Sequence, residues 1–275
     1  MENKKRFFRK AAFISVAVWL VFIAGISPAE EDWKTRKSFH FIVYYKNTSH
    51  KFLDRLVNKA EDCYRTITQG LGFYRDEPWV WDKRAFIYVF DTKYDYIEYT
   101  KMPEWSSGCA RPDKKTIFTY SESYDFFKYV LTHELTHIIL GDFLQEGRLP
   151  LWFDEGVAVY MERKNEANHL IKNIKAAIKQ ELFISFDKLF CLEFKDLDSK
   201  RDPQEQLTGV DYVQIFYLQS FSIVYFLFEE YDRYKFVQLL RKIKEGDKFD
   251  DAFFKTYRVF KDTEGLQRQW REFYR

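Results

Sequence analysis

The chain has 275 residues, enough for one large domain or two small ones around a buried core. Aromatic residues make up 20% of it, which excludes a disordered chain, and a formal charge of +2 gives no field for nucleic acid. Three cysteines at long spacings, Cys63, Cys109 and Cys191, exclude a disulfide framework and a thiolate metal knuckle, leaving one bridge or buried free thiols.

The first segment is "MENKKRFFRK", a basic head, followed by sixteen uncharged residues, "AAFISVAVWLVFIAGI" (residues 11–26). Ser27 and Ala29 then supply small side chains at a cleavage-type spacing. The pattern reads as a secretory signal peptide over residues 1–29. An uncleaved anchor through residues 11–26 and a buried helix are the alternatives, the run being short for a span. Either of the first two readings places the rest of the chain outside the cytoplasm, as a periplasmic or extracellular protein or one held on the cytoplasmic membrane. No cysteine follows the apolar run, so a lipid anchor is not indicated. Loss of the head removes five basic residues and one acidic one and turns the net charge negative.

Phe39–Tyr45, "FHFIVYY", reads as a strand from its aromatic and β-branched content. The stretch "SHKFLDRLVNKAEDCYRTITQGLGF" places Phe52, Leu53, Leu56, Val57, Ala60, Cys63, Tyr64 and Ile67 at helical spacing and stops near Gly70 and Gly72. A strand over Arg84–Asp91, a short helix in "KYDYIEYT", then a turn and a strand over Thr116–Tyr120 follow. From Ser121 the pattern is helical. "SESYDFFKYVLTHELTHIIL" opens on serine and acids and is expected to end at Gly141. A helix is expected from about Phe153, and four more in "DYVQIFYLQSFSIVYFLFEEY", "RYKFVQLLRKIKEG", "DDAFFKTYRV" and "TEGLQRQWREFYR". Strands grouped early and helices late predict an α+β protein. The organisation expected is a strand and helix part over residues 30–140, an all-helical part over residues 141–275, and the active site between them. The late aromatic stripes, Phe221, Tyr225, Phe226 and Phe228 among them, read as helical core.

Two of the five histidines, His133 and His137, flank Glu134 in "THELTH". Positions four apart share a helix face, so the two imidazoles aim at one point, and Glu134 projects about 100° from His133. This H-E-x-x-H pattern is that of two zinc ligands with the glutamate as general base. Two core histidines beside a buried acid are awkward without a cation, because burying the acid is costly. Glu155 follows in "LPLWFDEGVAVY", after the turn-rich "GDFLQEGRLP", which is long enough to bring it back to the histidines. His133, His137 and Glu155 then form a three-ligand set with one position left for water, the arrangement of a catalytic zinc rather than a closed structural one. Asp154 reads equally as a helix N-cap or as a carboxylate holding a ligand histidine. His169 reads as a surface or packing residue.

"THELTH" followed by "WFDEGVAVY" resembles the gluzincin metallopeptidases, and Trp152 to Ala158, in the form W-x-x-E-G-x-A, is closest to the aminopeptidase-like pattern. The chain from about Phe39 to its end is similar to the peptidase MA-like family, whose late helix resembles "YLQSFSIVYFLFEEYDRYKF". The resemblance implies a zincin-like fold and one Zn2+ per chain. It implies peptide hydrolysis by activated water with Glu134 moving the proton, and a tyrosine donor to the oxyanion. Tyr217 aligns best with that donor and Tyr212 second. It also implies a peptide or protein substrate laid along the strand Thr116–Tyr120 as an edge. Two features depart from the relatives. Val159 stands where thermolysin-like enzymes carry an acid, and "SSGCARP" lacks the Gly-Ala-Met-Glu-Asn segment that holds a free N-terminus, which favours an endopeptidase. The rival class is a non-catalytic cell-envelope binding protein that keeps the fold; it gives no reason to retain Glu134.

Overall fold

The computed structural model describes residues 33–73, 79–121, 123, 126–145, 147–198 and 210–275. The expected signal or anchor segment lies outside the described residues. Among those described, no helix is long and apolar enough to cross a membrane. The chain divides into two compact units at Gln145 and Glu146.

The first unit holds a five-stranded mixed sheet in the order β1-β2-β3-β5-β4. Its strands are β1 (Lys34–Lys37), β2 (Phe41–Tyr45), β3 (Ala85–Phe90), β4 (Gly108–Arg111) and β5 (Thr116–Tyr120). The inner strands β2, β3 and β5 run parallel, with Val43 opposite Ile87 and Ile87 opposite Ile117. The outer strands β1 and β4 run antiparallel to their neighbours. Alternation sends Phe41, Val43, Ile87 and Ile117 into one core. The opposite face carries Phe90, Tyr96, Met102 and Phe118, with Tyr88 and Cys109 packed against them.

Helix α1 (His50–Leu71) buries the stripe that the sequence marks out, Phe52 through Ile67 and on to Leu71. The Ser49 hydroxyl accepts from the Phe52 N–H at its start, and Gly72, at φ 83°, ends it in the left-handed conformation that glycine tolerates. The short helix α2 (Lys93–Thr100) begins with a capping box between Thr92 and Asp95. A π-helical stretch, Phe126–Val130, runs into α3 (Leu131–Leu144), which packs along α1. A hydrogen bond between Cys63 Sγ and Thr132 Oγ1, 3.2 Å long, joins these two helices.

The second unit is helical: α4 (Leu151–Arg163), α5 (Ala167–Lys179), α6 (Phe186–Cys191), α7 (Phe194–Asp198), α8 (Val210–Glu230), α9 (Arg233–Lys244), α10 (Phe249–Thr256) and α11 (Thr263–Phe273). The long apolar α8 is its axis. Gln219 on α8 accepts from the Ile184 N–H and donates to the Ile184 carbonyl, each at 2.7 Å, fastening the segment before α6. The indole of Trp270 donates to the Ser222 hydroxyl and the Tyr274 hydroxyl to the Ser222 carbonyl, tying the C-terminus to the same helix.

Three expectations are corrected. Thr116–Tyr120 is not an edge: β5 is paired with β3 on one side and β4 on the other, so its backbone has no side left for a substrate, and the free edge there belongs to β4. Helix α3 does not stop at Gly141, which lies within the helix with Pro112 Cβ 3.6 Å from where its own Cβ would stand. Helix α4 begins at Leu151 with Pro150 as N-cap, two residues before the expected start. The chain is α+β, with its sheet in the front half and helices behind, as expected.

Candidate metal centre

Helix α3 is apolar almost all round, so its polar residues at 133, 134 and 137 are buried together with Leu131, Leu135 and Ile138. The entry to the helix explains how. No turn interrupts the chain at Val130, whose φ −60° and ψ −43° are already helical, and the π turn before it sets the phase of the residues that follow. The far end is pinned. Asp142 pairs with the Lys115 ammonium and accepts from the Trp79 indole N–H at 2.7 Å. The Lys115 ammonium also lies over the Trp79 ring at 5.4 Å.

His133 is 0% exposed, Glu134 2% and His137 5%. The two imidazole centroids are 4.8 Å apart with planes crossed at 72°, so the rings meet edge to face rather than stacking. Glu155, the fifth residue of α4, is also buried. One ligand atom each from His133, His137 and Glu155 lies within 4.8 Å of the others. A zinc ligand shell, with ligands about 2 Å from the ion, is about 4 Å across, so small side-chain adjustments close the gap. Two imidazoles and two carboxylates, all buried, form a donor set whose desolvation a divalent cation offsets. The residues present therefore fit a zinc ion.

Glycine at 156 belongs to the same construction. A Cβ there would stand 2.6 Å from the Ser220 carbonyl oxygen and 2.9 Å from Val224 Cγ2 of α8. Helices α4 and α8 therefore touch backbone to backbone beside Glu155, and the carboxylate is carried on a rigid pair. Tyr217 lies one turn before Ser220 on α8 and is buried, with its ring 5.2 Å from that of Phe216. Tyr212 is half-buried, under the Lys188 ammonium at 5.5 Å. Asp154 is in the first turn of α4, not at its N-cap, where a carboxylate is favoured by the helix dipole. His169 is exposed on α5, a separate helix from that of Glu155.

Sequence reading missed the edge strand β4, which carries Cys109. Burial first, and the charge of Glu134 second, push the Cys109 thiol up to about 12, so it stays a neutral thiol. Burial likewise raises Tyr96, whose hydroxyl is 2.7 Å from that of Ser106. The signal available was "GCAR" between two turns, too short and too small-sided to read as a strand. None of the described cysteines is bonded to another.

A family model described as the Peptidase MA superfamily matches residues 79–275. The chain belongs to the Peptidase MA superfamily. The match takes in α3, α4 and α8 together. No curated protein matches the chain. Among solved structures, a yeast LTA4 hydrolase in complex with bestatin is similar at 16% identity and a TM-score of 0.47. That likeness covers 86% of this chain but only 38% of the other, so the chain spans well under half of that protein's length.

Proposed function

We propose that this superfamily member is an exported, zinc-dependent peptidase acting on internal peptide bonds of peptides or proteins. The observation that carries the reading is the buried group of His133, His137 and Glu155, with Glu134 beside it on α3. His133 and His137 hold the ion through ring nitrogens, and Glu155 through a carboxylate oxygen. Zinc, when bound there, supplies a Lewis acid for the scissile carbonyl and a water of lowered pKa.

The chain's own residues do the rest. Glu134 accepts the proton of the attacking water at a carboxylate oxygen and gives it to the leaving amine. Its burial keeps competing water away from that oxygen. Tyr217 is assigned as the hydroxyl donor to the developing oxyanion, on the strength of its place on α8 one turn from the Gly156 contact. The substrate backbone is assigned to the outer edge of β4 rather than to β5, because β4 is the edge strand on that side of the sheet. The absence of a Gly-Ala-Met-Glu-Asn segment around Gly108–Arg111 supports cleavage within chains over removal of N-terminal residues. Export rests on residues 1–29, with their basic head, apolar run and small residues before Glu30.

Glu134→Gln tests the roles. The variant is expected to keep the ion, since Glu134 is not a ligand, and to lose about 10²–10⁴-fold in peptide hydrolysis. Hydrolysis at the wild-type rate by the variant would remove Glu134 from the proton path.

A further inference from the structure

The first unit has a second feature, at the end of the sheet where β2, β3 and β5 begin. Phe39 is 66% exposed and Trp81 79% exposed, two of the largest apolar side chains left in water. Hydrogen bonds bring their two segments together. The Arg84 Nε–H donates to the Phe39 carbonyl at 3.1 Å, and the Ala85 N–H to the His40 carbonyl at 3.0 Å. Trp81 opens the 3-10 turn Trp81–Lys83 that ends at Arg84. Trp81 has φ 57°, a conformation that a bulky side chain rarely adopts and that costs energy. The fold thus accepts backbone strain at a residue whose ring it leaves in solvent.

The surroundings are basic. Among the described residues, Lys37 and Lys83 are exposed and Arg84 half-buried, against the exposed Asp82 and a partly buried Glu61 that pairs with His40; Lys114 and Asp113, in the next turn along, offset one another. Aromatic rings standing out of a basic rim suit the boundary of an anionic bilayer, where the ring sits at headgroup depth and the cations meet lipid phosphate. We propose that the Phe39–Trp81 face docks onto anionic membrane lipid. This is independent of the metal site. Asp142 and Gly141, near the end of α3, lie against Lys115 and Pro112 on this same side, while His133 is nine residues up the helix, about 13 Å away. Docking here leaves the ligand residues clear of the lipid.

The experiment uses the full chain with phosphatidylcholine vesicles, with and without phosphatidylglycerol. Residues 11–26 could bind lipid by themselves, so the reading is the difference between variants. Brominated lipid is expected to quench part of the tryptophan fluorescence in phosphatidylglycerol vesicles, and Trp81→Phe to remove that part. Phe39→Ser with Trp81→Ser is expected to weaken vesicle binding about tenfold with peptide hydrolysis unchanged, and Lys37→Gln with Lys83→Gln to abolish the preference for phosphatidylglycerol. Equal quenching in wild type and Trp81→Phe, or equal binding by wild type and the serine double variant, would overturn the proposal. So would binding indifferent to phosphatidylglycerol.

Discussion

Glu61 illustrates how single side chains lock the first unit. It sits on α1 and accepts from the Ser38 hydroxyl at 2.7 Å and the His40 N–H at 2.9 Å, with the His40 ring Nδ1 at 2.5 Å. That ring stacks on Tyr64 at 3.9 Å. Burial alone would raise the carboxyl, but the bonds from His40 and Ser38 outweigh it and hold the group at about 2, below its ordinary 4.5. A depressed carboxyl contributes stability above its unfolded value and loses it as protons bind. The contribution of Glu61 is therefore present above pH 4.5 and fades as the pH falls toward about 2. Urea midpoints of wild type and Glu61→Gln should differ near neutrality and converge through that window; a gap that stays constant with pH would contradict it. The residues of the metal group were legible for a simpler reason. Spacing of four on a helix puts two histidines on one face whatever the tertiary fold, and "WFDEG" marks the third. Tyr217 is assigned only through resemblance and stands as a proposal, since one tyrosine among nineteen carries no spacing signal.

At the scale of elements, α1 and the last four helices were readable, whereas α5, with Leu170, Ile174 and Ile178 buried at helical spacing, was not separated out. Helix α1 shows its stripe and its terminal glycines, and α8 to α11 show theirs. β1, "KTRK", has no apolar alternation because it is an exposed edge strand, and charge on an edge discourages further pairing. β4 consists of small or polar residues, and Gly108 is small for cause: a Cβ there would meet the Phe126 ring at 2.6 Å. Missing β4 is what misplaced the edge onto β5. Gly141 was misread as a stop because glycine ends helices only where its backbone turns left-handed, and here it does not. Contact between α4 and α8 gives a sharp test. Gly156→Ala places a methyl against backbone rather than a movable side chain and should cost about 1–3 kcal/mol in denaturant unfolding. It should also weaken metal retention by shifting Glu155. Unchanged stability and unchanged retention would mean that the close approach is dispensable.

On the scale of the whole chain, His133, Glu134 and His137 belong to the sheet unit, and Glu155 and Tyr217 to the helical unit. The superfamily match over residues 79–275 includes every one of these residues. The central claim is that His133, His137 and Glu155 hold one zinc ion. It is tested most directly by elemental analysis of the purified, zinc-reconstituted protein beside His137→Ala and Glu134→Gln. The account predicts about one zinc per chain in wild type and in Glu134→Gln, and loss of the ion in His137→Ala, since a three-ligand site does not survive removal of one ligand. A wild-type protein that holds no zinc after reconstitution, or a His137→Ala variant that holds as much as wild type, would contradict it.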